Sequence, residues 1–176
     1  MKSATIFFFL GALVTNSALA ERADRDKPVH LESDRATVAN TSRSNNKNRT
    51  SVFTGNVVLT QGTLIIRSDK MVITEDEDGL KNVIAYGNLA SFRQKRDGMN
   101  EYIEGWSERM EYDSKADKVE LFKQARLRRG SDEVHGEYIS YEATTEFFQV
   151  NNGAKNKTGS ESRVHAIIQP KKKKRN

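Results

Sequence analysis

The chain has 176 residues, with 29 basic against 24 acidic side chains and no cysteine. The missing cysteine excludes disulfides, thiol nucleophiles and thiolate metal sites. The net charge of +5 sits at the ends. Apart from Lys2 and Lys171–Arg175, 23 basic and 24 acidic residues remain, so the body lacks the basic stripe of a nucleic-acid binder.

In residues 1–20, Lys2 is the only charge, Ile6–Val14 is apolar and Ala18-Leu19-Ala20 is a small-x-small site. This predicts a secretory signal peptide cut after Ala20. The apolar run falls short of the ~20 residues that span a bilayer. A retained N-terminal anchor is the competing reading. The expected organisation is a cleaved segment 1–20, one β domain over 21–168 and a basic, disordered tail over 169–176.

From there the chain alternates with period two, as half-buried strands do. The alternating stretches are Pro28–Val38, Val52–Thr60, Thr63–Thr74, Lys81–Arg93, Glu101–Asp113, Val119–Leu127, Glu133–Tyr141, Glu146–Val150 and Arg163–Ile168. Turn residues separate several of them: Gln61-Gly62, Asp78-Gly79, Asp97-Gly98, Arg129-Gly130 and Asn152-Gly153. The polar runs Asn40–Ser51 and Asn151–Ser162 read as surface loops.

One pattern recurs four times: around Ser33-Asp34, Ser68-Asp69, Gly105-Trp106-Ser107-Glu108 and Gly136-Glu137. Each has an apolar alternation, a small residue, then an alternation of opposite parity. Ile66 and Met71, or Ile103 and Met110, share a face only if the strand bends between them, where a small residue tolerates a bulge. Four corners predict a sheet that folds over itself around one interior. Phe53–Ile73 also resembles Leu121–Tyr141 at an offset of 68 residues. The expected fold is all-β and antiparallel, with about fifteen short strands once the corners are counted.

The interior candidates are Val29, Leu31, Phe53, Leu59, Ile66, Met71, Ile73, Phe92, Ile103, Met110, Tyr112, Leu127 and Ile139, with Leu121, Val134 and Tyr141 as further core. They fill a core, or they line a sandwich that splays to accept an acyl chain. The pattern itself leaves both open. Catalytic chemistry finds little support. His30, His135 and His165 lie too far apart in sequence for a metal motif. Glu75–Gly79 has an EF-hand look, but Thr74 and Ala85 stand where carboxylates are required. No G-x-S-x-G elbow occurs. No cofactor is expected.

Several segments closely resemble the LptA family, the OstA-like bridge proteins of lipopolysaccharide export. They are Asp26–Asp34, Phe53–Thr63, Ser68–Lys70, Tyr86–Phe92 and Ile103–Gly105. The resemblance implies a β-jellyroll forming a V-shaped open sandwich, a periplasmic location and no enzymatic activity. It implies that lipid A of lipopolysaccharide is the ligand, with Val29, Leu31, Phe92 and Tyr112 at lipid-contacting positions. It also implies end-to-end self-association, with docking to the jellyrolls of LptC and LptD. A membrane-anchored jellyroll of the same pathway is the nearest alternative, and an envelope-glycan enzyme a more distant one.

Overall fold

The computed structural model describes residue 24 and residues 26–40, 48–96, 98–152 and 163–170. The predicted signal peptide and the Lys171–Arg175 tail lie outside the described residues. Among the described residues ten strands form one antiparallel sheet: β1 (Val29–Glu32), β2 (Arg35–Asn40), β3 (Arg49–Gln61), β4 (Leu64–Asp76), β5 (Gly79–Lys95), β6 (Tyr102–Asp113), β7 (Lys118–Arg129), β8 (Asp132–Glu142), β9 (Phe147–Asn151) and β10 (His165–Ile167). The path through the sheet is β1-β3-β4-β5-β6-β7-β8-β10, with β2 also on β3 and β9 also on β8.

The count is ten rather than about fifteen because β3 to β8 run unbroken through the corner. Each gives one arm on either side of it. β1 and β2 are the two arms of one edge, and β10 and β9 those of the other. β3 also begins earlier than expected. Arg49–Ser51, read from sequence as loop, pairs with β2 and with Ile73–Glu75 of β4.

The fourfold pattern marks the fold line. Registers shift between Thr54 and Val57, Arg67 and Lys70, Tyr86 and Ala90, Trp106 and Arg109, and Phe122 and Ala125. Beside these shifts the inward residues are small: Ser68, Ala90, Ser107 and Ala125 are all buried. A sheet folding onto itself leaves no room there for larger side chains. The Ser33 hydroxyl donates to Arg35 O at 3.0 Å and the Ser107 hydroxyl to Arg109 O at 2.7 Å, partnering carbonyls beside the interrupted ladder.

The acidic residue after each small one reaches the neighbouring strand's bulge. Asp34 Oδ2 accepts from Asn56 Nδ2 at 3.2 Å, Asp69 Oδ2 from Asn88 N at 3.2 Å, and Glu108 Oε1 from Gln124 Nε2 at 2.8 Å. At the fourth copy the direction reverses: Glu137 N donates to Asn152 Oδ1 at 3.0 Å. In three of the four copies, then, the small residue sits at the corner and the acid after it braces the bulge of the neighbouring strand.

Ile66 with Met71, Ile103 with Met110, and Val134 with Ile139 all face one interior core. Gly105 carries no side chain because a Cβ there would collide with the Phe92 ring and the Leu121 methyl across the sandwich.

Candidate functional site

The interior is organised as rows running across the strands. In one arm the row is Leu31, Leu59, Ile66, Phe92, Gly105, Leu127, Val134, Ala166. In the other it is Ala36, Phe53, Met71, Ala85, Met110, Leu121, Ile139, Val150. A second row there, further from the corner, is Val38, Ser51, Ile73, Val83, Tyr112, Val119, Tyr141, Phe148. Its counterpart in the first arm holds Val29 against Gln61 and Ile103 against Arg129. Each long row crosses the whole sheet, about 34 Å at ~4.8 Å per strand step.

All thirteen sequence-predicted site residues lie in these rows, but in two environments. Val29, Leu31 and Phe53 are half-buried at the N-terminal edge. Leu59, Ile66, Met71, Phe92, Ile103, Met110, Tyr112, Leu127 and Ile139 are packed into the closed interior, and Ile73, equally buried, stands where that interior meets the N-terminal cleft. Clefts open at the N-terminal side of the mouth, the edge of the sandwich opposite the corner. A cleft of about 450 Å³ there is lined by Val29, Leu31, Val38, Arg49, Ser51, Phe53, Ile73, Glu75, Gly79 and Leu80. A second, of about 400 Å³, shares Val29, Gly79 and Leu80 and adds Lys27, Gln61, Asp78, Ser114 and Lys115.

Sequence reasoning missed the lining residues Val38 and Leu80. Val38 is 57 % exposed although it belongs to an inward row, because β2 has no strand beyond it among the described residues. Its parity in the Pro28–Val38 alternation was the available signal. Leu80 follows the Asp78-Gly79 turn, where the register between β4 and β5 shifts, so alternation could not place it.

The rim of the mouth is polar. Asp24, almost fully buried, accepts from Thr63 N at 2.9 Å and from the Thr63 hydroxyl at 2.5 Å, pinning the entering segment to the β3–β4 turn. Lys115 Nζ lies 2.9 Å from Asp76 and 3.2 Å from Asp78. Hydrogen bonding to Asp76 raises the Lys115 pKa, and the same bond lowers that of Asp76. On the C-terminal side Arg96 donates to both oxygens of Glu146, at 2.9 and 2.6 Å, and to Glu101 at 2.6 Å. The bond to Glu146 raises the Arg96 pKa, and the Arg96 guanidinium holds Glu146 below its ordinary range. Tyr141 is buried on the same side, and burial pushes its hydroxyl up to about 12.

The outer face is charged and paired: Glu104 meets Arg93 and Arg128, and Glu120 meets Lys118. His30, His135 and His165 all lie on it. His135 and His165 face each other across β8 and β10 with ring centroids 6.0 Å apart, although thirty residues separate them. Among the described residues no group of three His, Asp or Glu side chains is placed to hold a metal ion. Arginines stack on outer-face aromatics: Arg93 on Tyr102, Arg126 on Trp106 and Arg109 on Phe122.

The sequence profile of the family described as LptA/(LptD N-terminal domain) LPS transport protein matches residues 36–147. The chain belongs to this family. The lipopolysaccharide export system protein LptA of Escherichia coli K12 is 34% identical over 126 residues, covering 70% of this chain. The matched stretch spans 64% of the length of that relative. The LptA of Haemophilus influenzae is 28% identical over 94% of this chain and 90% of its own length. The crystal structure of Pseudomonas aeruginosa LptH, described as the LptA-homologous periplasmic component of the lipopolysaccharide transport device, superposes with a TM-score of 0.72. It covers 84% of this chain and 99% of that one at 23% identity. The likeness places the folded sheet in the same jellyroll architecture.

Proposed function

We propose that this chain is a periplasmic, non-enzymatic bridge component that shields the acyl chains of lipopolysaccharide in its interior during transport to the outer membrane. The observation that carries the reading is the set of inward rows. They are largely apolar, they run from one sheet edge to the other, and they open at the N-terminal edge. Burying ten methylenes is worth about 8 kcal/mol, so an acyl chain gains from any continuous shelter. Family membership supports the cargo.

The edges supply the assembly. β1 with β2, and β9 with β10, are the outermost strands among the described residues, and unpaired strand edges recruit further strands. Phe147, Val164, Ile167 and Ile168 are exposed at the C-terminal edge. End-to-end stacking of copies, with LptC-like and LptD-like jellyrolls at the termini of the stack, would join the rows of successive subunits. Residues 1–20 fit the role as a cleaved export signal, which intact mass of periplasmic material checks.

A photo-crosslinking side chain tests the cargo. Placed at Leu31 or Phe53 it should capture lipopolysaccharide, and at the outward Glu32 or Arg93 much less. Equal capture at both sets sinks the reading. Phe92 and Tyr112 should capture only if the interior opens in transit.

A further inference from the structure

The mouth of the sandwich is open at one end and tied at the other, and the tie occupies a repeated position. Glu146 stands 68 residues after Asp78, the offset that relates β7–β8 to β3–β4. Both acids lie at the far end of the same arm, in the β8–β9 and β4–β5 turns. Asp78 meets Lys115, which belongs to the β6–β7 turn of its own arm. Glu146 instead meets Arg96, which follows β5 at the far end of the opposite arm. The opening lies beside the within-arm pair, where Lys27 and Asp78 line it from opposite arms.

The cross-arm contact is built. The Arg96 side chain is only 9% exposed and is held by Glu146 and Glu101. Arg96 N donates to Glu101 O at 2.9 Å and Met99 N to Arg96 O at 3.2 Å, fixing the loop that presents it. Next to it Arg129, from the Arg96 arm, lies over the Phe148 ring of the other arm at 5.7 Å. A bidentate arginine–carboxylate pair has one good geometry and is lost when its partners separate by an ångström or two.

We propose that Arg96–Glu146 is a latch that holds the C-terminal side of the mouth shut in the empty protein and releases when an apolar chain passes along the inward rows. The N-terminal cleft is then the standing entrance, and the C-terminal side opens only with cargo inside. The proposal rests on the cargo reading for its purpose, but not for its mechanics.

The test uses the mature chain and the apolar dye N-phenyl-1-naphthylamine. R96A and E146Q should each raise dye uptake at least threefold at neutral pH, and the double variant should add little to either single one. E104A is the control, since Glu104 pairs with Arg93 and Arg128 on the outer face. E146Q keeps the side-chain shape, so a thermal melt separates opening from unfolding. Unchanged uptake in both latch variants, or an equal rise in E104A, overturns the latch. Crosslinking of lipopolysaccharide at Leu31 is read in parallel. Raised dye uptake without lipopolysaccharide capture in any variant keeps the latch and removes the cargo. Capture with unchanged dye uptake keeps the cargo and removes the latch.

Discussion

Hairpins β3–β4 and β7–β8 are two versions of one design. The bulge of the first has positive φ at Gly55 (81°) and Asn56 (47°), and that of the second at Lys123 (62°) and Gln124 (49°), 68 residues later. Gly62 and Gly130 turn the two hairpins with φ of 57° and 58°. What differs is the mouth. Ser51 and Ile73 of the first correspond to Val119 and Tyr141 of the second, whose larger side chains are buried where the first has a cleft. The same backbone is open over one hairpin and plugged over the other, so the plug is a matter of side chains laid on an equivalent frame.

The largest effects come from the shared frame. Met71 and Ile139 are equivalent by the offset, and both are fully buried. Met71→Ala and Ile139→Ala should each cost about 2–5 kcal/mol in chemical denaturation. Costs that differ by more than the spread of neighbouring core sites would show that the two halves are packed on different terms.

Much of this frame was legible in the sequence. Period-two alternation locates nearly every strand, and the parity flip at Ser68-Asp69 puts Ile66 and Met71 on one face. What it missed was the partner of each corner. The bulge at Lys123-Gln124 adopts left-handed backbone with residue types that do not advertise it, and only the offset to Gly55-Asn56 hinted at it. The turns at Asp117 and Glu146 likewise have positive φ without glycine, so glycine punctuation could not mark them. The division of the site residues into cleft and closed interior was not legible either. Alternation reports which face a residue occupies, not whether the opposite arm closes over it. Arg96 and Glu146, fifty residues apart and both at strand ends, leave no periodic trace.

A smaller effect separates the two bulges. Gly55 has φ of 81° and its Cβ position is occupied by the Asp34 carboxylate, so Gly55→Lys should cost about 1–3 kcal/mol. The reverse change at the equivalent site, Lys123→Gly, removes a strained φ of 62° and should cost nothing or stabilise by up to about 1 kcal/mol. The Lys123 ion pair with Glu108, at 3.8 Å with the lysine side chain 73% exposed, offsets little of that gain. Thermal melts of the two variants decide it. Equal losses at both sites would mean that Lys123 is held by contacts its glycine-bearing counterpart lacks.

The smallest effect tests what Glu146 does that Asp78 does not. Arg96 holds the Glu146 carboxyl below its ordinary value. An acid with a depressed folded pKa contributes stability above its unfolded pKa, and loses that contribution as pH falls through the folded one. The ion pair should therefore be intact at neutral pH and fade only below the usual carboxylate range. Wild type should exceed E146Q in melting temperature by about 2 °C at pH 7, and the gap should close as the pH falls below the usual carboxylate range. Glu101 also faces Arg96, so the E146Q difference curve, rather than the raw melt, isolates Glu146. D78N, whose acid pairs within one arm at an 80% exposed position, should track wild type throughout. If D78N and E146Q give the same curve, the cross-arm pair is one more surface contact, and the closure of the C-terminal mouth must come from Val119, Tyr141 and Phe148 alone.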